Sequence, residues 1–174
     1  TAGEVGITRH PGVAGPLPPH QMIRLGVSFL SEDRKNEGLA LERSIAQNIT
    51  FSSLERYAKW GMVGDRMVNS LAGRWIEALS IKTGDIAGKA SSLSGGNQQK
   101  VAVARLLEEN ADIFLLDEPT RGVDVGSKVE IFRLIGELAA KGKSVVIVSS
   151  YLPELLGICD TIAVMHRGTL GLKR

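Results

Sequence analysis

Apolar residues along the chain gather into runs of two kinds. Ile113, Phe114, Leu115 and Leu116 stand consecutively and lead into Asp117, Glu118 and Pro119. A continuous apolar run closed by proline predicts a buried parallel strand that carries two carboxylates at its C-terminal end. Val27–Leu30 and Val145–Ser149 predict two more strands, and Thr161–Met165 a fourth. The second kind of run has helical spacing. Beginning at Ser94, the positions Val101, Ala102, Val103, Ala104, Leu106 and Leu107 form an apolar face. From Leu41 to Ile86, Ile45, Ile49, Leu54, Met67, Leu71, Trp75, Ile76 and Leu79 do the same. A helix from Ser127 to Ala140 is predicted to open on the capping box Ser127-Lys128-Val129-Glu130.

Shorter signals complete the outline. A strand is expected around Glu4 to Thr8, a Gly- and Pro-rich loop from Pro11 to Pro19, and a short helix from His20 to Leu25 closed by Gly26. Another short helix is expected near Pro153 to Leu156, and a turn at Arg167-Gly168 before a last strand. Strands alternating with helices imply an α/β fold with a mostly parallel sheet. The helical pattern over 41–86 reads as an inserted lobe.

Two segments carry chemistry. Ser94 is a good helix N-cap, and Gly95 and Gly96 let an anionic ligand approach the backbone at the positive end of the helix dipole. Asp117 and Glu118 lie where open α/β sheets place their ligands. Asp117 is suited to hold Mg²⁺ through oxygen, with waters kept in the shell. Glu118 is suited to orient or deprotonate an attacking water. Together the two segments point to hydrolysis of a nucleoside triphosphate.

Composition narrows the setting. A net charge of +2 implies no strong field for nucleic acid or a membrane surface. The single cysteine, Cys159, leaves no internal disulfide framework and reads as a helix-end residue. No apolar run reaches the ~18 residues of a membrane span. Asn48-Ile49-Thr50 matches a glycosylation sequon, which the cytoplasmic reading below discounts.

The combined motifs resemble those of the ATP-binding cassette (ABC) ATPases. Leu93-Ser94-Gly95-Gly96-Asn97-Gln98 matches the family signature, Ile113–Glu118 its Walker B strand with the catalytic glutamate, and Gly122-Val123-Asp124 its D-loop. Ser31-Glu32-Asp33-Arg34-Lys35, Asn97-Gln98-Gln99-Lys100, Thr120–Gly126, and Ser149-Ser150 with Pro153–Leu156 narrow the resemblance. They are similar to the second nucleotide-binding half of fused, two-cassette bacterial sugar importer ATPases of the ribose, galactose and xylose type.

The resemblance implies a P-loop NTPase-like core, with residues 1–174 as the C-terminal portion of one nucleotide-binding domain and 41–109 as its helical signature subdomain. It implies ATP and Mg²⁺ as cofactors. The expected partners are a second cassette, transmembrane permease subunits and, indirectly, a periplasmic sugar-binding protein, at the cytoplasmic face of the bacterial inner membrane. Nucleic acid is not an expected partner. In this family two cassettes pair head to tail, so Leu93, Ser94, Gly95, Gly96, Asn97 and Gln98 would serve the partner's ATP. Asp117 and Glu118 would serve the cassette's own, Asp124 would lie at the seam, and Tyr57, Trp60 and Trp75 are candidate permease contacts, with a core role at least as open for Trp75.

The sequence departs from the family pattern in three places. No G-x-x-x-x-G-K-[ST] segment is present, and Gly142-Lys143-Ser144 has the order of a helix-to-strand turn. The expectation is therefore a fragment that begins after the P-loop helix. Glu32 stands where a glutamine that senses the γ-phosphate is usual. Ser150 stands where a switch histidine is usual, with Tyr151 after it. The histidines His10, His20 and His166 lie elsewhere. These departures imply that the cassette's own ATP site is slow or non-hydrolytic. They also leave open an alternative, a non-catalytic cassette that completes a partner's site.

Overall fold

The computed structural model describes residues 17–33, 37–58, 60 and 62–171. The strand expected near Glu4 to Thr8, most of the Gly/Pro-rich loop, His10, Arg34 and Lys35 lie outside the described residues. A short helix α1 (Pro19–Arg24) turns at Gly26, which has a left-handed φ of 75°, into strand β1 (Val27–Leu30). Strands β2 (Ile113–Asp117) and β3 (Ser144–Val148) join β1 in a parallel sheet of order β1-β2-β3. Phe29 is in register with Leu115, and Leu115 with Val146.

The two faces of the sheet differ. Leu30, Phe114 and Leu116 are buried against helices, whereas Phe29, Val146 and Val148 are each more than half exposed. The expected fully buried run at 113–116 is therefore an alternation, with Ile113 and Leu115 only partly covered.

Between β1 and β2 the chain is helical in pieces. Helix α2 (Ile45–Thr50) carries a complete capping box from Ser44 and Gln47. A 3₁₀ turn (Phe51–Ser53), α3 (Leu54–Tyr57) and α4 (Asp65–Ala78) follow. The pattern expected to run on to Ile86 stops at Ala78, because Ser80 takes a left-handed φ of 48°. Met67, expected on the apolar face, is exposed, while Ile45, Ile49, Leu71 and Leu79 are buried as that face requires. The Asn48 side chain is buried and holds both backbone groups of Ala40, at 2.8 and 2.9 Å, and Ser44 O at 3.0 Å. The folded sequon therefore offers no free amide.

Helix α5 (Gly95–Glu109) packs between α2 and the sheet and ends at Asn110, whose φ is 50°. Helix α6 (Val125–Ala140) begins two residues before the expected Ser127. Its N-cap is Asp124, which accepts hydrogen bonds from Ser127 N at 3.0 Å and Ser127 Oγ at 2.6 Å. The carboxylate reaches the third backbone N–H of the helix, so Ser127 is a buried donor to the cap and not the cap itself. Gly142, with φ 78°, ends the turn into β3, and Lys143 pairs with Asp112 at 2.9 Å. The Gly-Lys-Ser triplet is a helix-to-strand turn, as its order implied.

Helix α7 (Leu152–Ile158) ends at the half-buried Cys159, whose thiol is pushed up by burial and by Asp160. The strand expected at Thr161–Met165 forms only at its end. Here β4 (Met165–His166) and β5 (Thr169–Leu170) make a tight hairpin around the left-handed Arg167 and Gly168. No helix among the described residues is long and apolar enough to cross a membrane.

Candidate functional site

Two ends of the framework meet at the C-terminal edge of the sheet. Asp117 is the last residue of β2, and Glu118 leaves the strand with a φ of 47°. A non-glycine residue held there stores about 1–3 kcal/mol of backbone strain, which clusters at functional sites. Four contacts fix the residue. Its N–H donates to Val148 O at 2.9 Å, its Oε1 accepts from Ser150 N at 2.6 Å, and its carbonyl accepts from Arg121 N at 3.1 Å and lies 3.5 Å from the Gln99 amide. Ser150 thus reaches the carboxylate through its backbone, a contact that any side chain at 150 would permit.

Glu32, two residues after β1, forms an ion pair with Arg121. It lies over the turn after β2, with its carboxylate already engaged. Among the described residues no three His, Cys, Asp or Glu side chains group closely enough to hold a metal by themselves. A lone strand-end Asp117 beside Glu118 suits Mg²⁺, which binds through one or two carboxylates plus substrate phosphates and waters.

The start of α5 flanks the same turn. Ser94 Oγ accepts from Asn97 Nδ2 at 3.0 Å and caps the helix weakly through Asn97 N at 3.4 Å. Asn97 Oδ1 accepts from Lys82 N at 2.8 Å, so its amide is committed on both sides. Gly95 is the first helical residue. Gly96 has a structural reason to lack a side chain, since a Cβ there would meet Gly122 O at 3.2 Å. Gln98, expected to face a nucleotide, instead turns inward and is 6% exposed. Its Nε2 donates to Ala90 O at 3.3 Å and Leu93 O at 3.2 Å, so it shapes the loop that leads into the helix. Leu93 contributes that carbonyl and a partly buried side chain packed on the core.

Asp124, expected at a seam between cassettes, spends its carboxylate on capping α6. The Ser127 hydroxyl and amide lower its pKa below the ordinary carboxylate value. The described histidines, His20 and His166, are exposed and far in sequence from this edge.

Sequence reasoning left three residues here without a role. Thr120 Oγ1 donates to Glu154 Oε2 at 2.8 Å, Lys128 Nζ donates to Glu154 Oε1 at 2.6 Å, and the same ammonium stands 5.7 Å from the Tyr151 ring centroid. This network ties β2's turn, α6 and α7 around the Ser150 backbone. Only Thr120 of this network is buried, and the sequence carries no local signal that would bring the four residues together.

Residues 2–121 match the family model described as ABC transporter. The chain belongs to the ABC transporter family. It is 52% identical over 150 residues to a ribose import ATP-binding protein of Rubrobacter xylanophilus, covering 86% of this chain and 30% of that protein. It is 44% identical over 152 residues to a ribose import ATP-binding protein of Escherichia coli O157:H7, covering 87% of this chain and 30% of that one. The chain therefore spans about 30% of the length of these relatives.

Among solved structures, it superposes with a TM-score of 0.82 on a dimeric ATP-binding cassette in a post-hydrolysis state bound to ADP and Pi. The identity there is 23%, and the match covers 100% of this chain and 73% of that one. A nucleotide-free cassette from an ABC transporter gives 0.68 at 26% identity, over 89% of this chain and 63% of the other. The fold is that of an ABC ATPase cassette, a P-loop NTPase-like α/β core.

Proposed function

We propose that this chain is part of the ATP-hydrolysing subunit of an ABC importer for a sugar, the second cassette of a fused two-cassette protein. One observation carries the reading. The strand-end Asp117-Glu118 pair and the Ser94-capped start of α5 are braced against the same turn, so one folded unit presents the parts of two nucleotide half-sites. Ser94, Gly95, Gly96 and Asn97 face the ATP of a partner cassette, with Leu93 and Gln98 shaping their loop. Asp117 and Glu118 serve the ATP of this cassette, with Glu32 and Ser150 at its margin. Residues 41–109 act as the helical signature subdomain within the portion of a nucleotide-binding domain spanned by 1–174.

Mg²⁺ bound at Asp117 would neutralise charge developing on the phosphates. Glu118, pre-set by Ser150 N–H, orients the attacking water. The partners are a second cassette and permease subunits at the cytoplasmic face of the inner membrane, with a periplasmic sugar-binding protein acting through the permease. The relatives' names make ribose the first sugar to test.

Ser150 in place of a histidine supports a slow own site. Ser94→Arg is therefore expected to abolish ATP-driven uptake, and Glu118→Gln to reduce it much less than the ~10²–10⁴-fold of a lost general base. Uptake of labelled ribose and ATP turnover, measured for both variants in the natural polypeptide, check this. Equal loss in both would remove the asymmetry, and unchanged turnover in both would remove the ATPase assignment. No observation favours the alternative of a non-catalytic cassette.

A further inference from the structure

We propose that Gln99 is a positioning residue for Glu118, bracing the α5 helix against the turn that carries the catalytic carboxylate; this rests on the hydrolytic reading above. Gln99 is 1% exposed and lies one helical turn after Gly96. Its Nε2 donates to Pro119 O at 3.0 Å, with Glu118 O at 3.5 Å. On the same side of the helix, Gly96 lies against Gly122 O and Val123 Cα. Residues three apart share a helix face, so α5 touches the 118–123 turn at two points along one stripe.

Both acceptors of the Gln99 amide are backbone carbonyls. Glu118 is thus held from the α5 side by Gln99, within its own turn by Arg121 N at 3.1 Å from its carbonyl, and from the β3 side by Val148 O on its N–H and Ser150 N on its carboxylate. Without the Gln99 donor, Pro119 O and Glu118 O lose their side-chain partner, and α5 then touches the turn at Gly122 and Val123 alone, so its hold on Glu118 in the left-handed conformation weakens. The carboxylate would then swing relative to the water it must orient. Because Gln99 shares a helix with Ser94, displacement at one end of this contact is transmitted to the other as a rigid shift of α5.

The test compares Gln99→Met, which keeps the length and volume but removes the donor, with Gln99→Glu, which keeps the shape but places an acceptor against the two carbonyls. Glu108→Gln, at the far end of α5, controls for general loss of helix stability. Each is made in the natural polypeptide with its transport partners. Gln99→Met is expected to lower kcat for ATP about 3-fold, the scale of one misaligned hydrogen bond, and Gln99→Glu to lower it further but by no more than Glu118→Gln does; KM stays unchanged.

Hydrogen exchange is expected to quicken at the Glu118 and Ser150 amides in both Gln99 variants, and to stay slow there in Glu108→Gln. A Gln99→Met protein with wild-type kcat, or an equal fall in Glu108→Gln, would overturn the proposal. A wild-type protein without ATP hydrolysis would remove the hydrolytic reading. Exchange then decides alone: unchanged protection at Glu118 overturns the brace, and a selective loss there upholds it.

Discussion

Helices α5 and α6 are nearly equal in length, yet they relate to the molecule in opposite ways. Ten of the fifteen residues of α5 are buried, including Gln98, Gln99, Lys100 and Glu108. Of the sixteen residues of α6, only Ser127, Ile131, Leu134 and Ile135 are. The α6 pattern, at i, i+4, i+7 and i+8, is the single stripe of an amphipathic helix. Helix α5 is wrapped by the helical lobe on one side and by the sheet and the post-β2 turn on the other. Its polar residues are therefore interior contacts, each requiring a partner.

Gln98 takes Ala90 O and Leu93 O, Gln99 takes Pro119 O, and Lys100 takes Ser80 O at 3.0 Å. Glu108 is the extreme case. It accepts from Tyr57 Oη at 2.8 Å and Trp75 Nε1 at 2.6 Å, with Arg56 and Arg74 at its margin. Its carboxylate pushes the Tyr57 phenol above the ordinary range through that hydrogen bond. Two of the aromatics expected at a permease contact, Tyr57 and Trp75, are thus half-buried and engaged with Glu108, whereas Trp60 is 97% exposed.

The comparison can be broken most forcefully at Glu108. Glu108→Ala should cost about 3 kcal/mol, the loss of two hydrogen bonds to a charged acceptor, because Arg56 and Arg74 are exposed enough to be resolvated while Tyr57 and Trp75 lose their anchor. Chemical denaturation would register it as a lower midpoint with an unchanged slope; a shift within error would mean the buried network is dispensable.

A smaller effect is expected at the start of α6. The Asp124 carboxyl titrates below its unfolded value, so the stability it contributes is present above the ordinary Asp range and is lost as pH falls through the lowered folded pKa. Asp124→Asn keeps an acceptor for Ser127 N but should flatten that acid limb in a series of thermal melts from pH 5 to about pH 2. An acid limb identical to that of the wild type would show that the cap carries no pH-dependent stability. Least of all should change at Arg133, whose pairs with Glu130 and Glu137 lie on the exposed face of α6. Arg133→Ala should leave the unfolding midpoint where it was, and a clear drop would mean that α6 is less one-sided than its burial implies.

The sequence made the framework legible because each of its signals is local. Continuous apolar runs marked β1, β2 and β3 to within a residue or so, and the Ser94 cap marked the start of α5. What it hid depends on contacts between distant residues. The α6 cap was read one turn late because Ser127 also satisfies a capping box, and only the fold shows Asp124 reaching its amide. The lobe read as continuous helix breaks at Ser80, whose left-handed turn brings its carbonyl to Lys100. Nothing in the spacing of Gln98 and Gln99 separates a residue that faces a ligand from one that faces a neighbouring carbonyl. The acidic strand end, by contrast, stood out at once, since carboxylates after an apolar run have few structural uses.

The left-handed backbone of Glu118 has an evolutionary consequence. Glycine or asparagine at 118 would sit in that conformation more comfortably, so mutational drift acting on folding alone would tend to erase the glutamate. Under the proposed reaction only selection on turnover retains it. A lineage in which this cassette falls idle should therefore lose Glu118 early, while Gln99 and Gly96, which serve packing as well, persist longer.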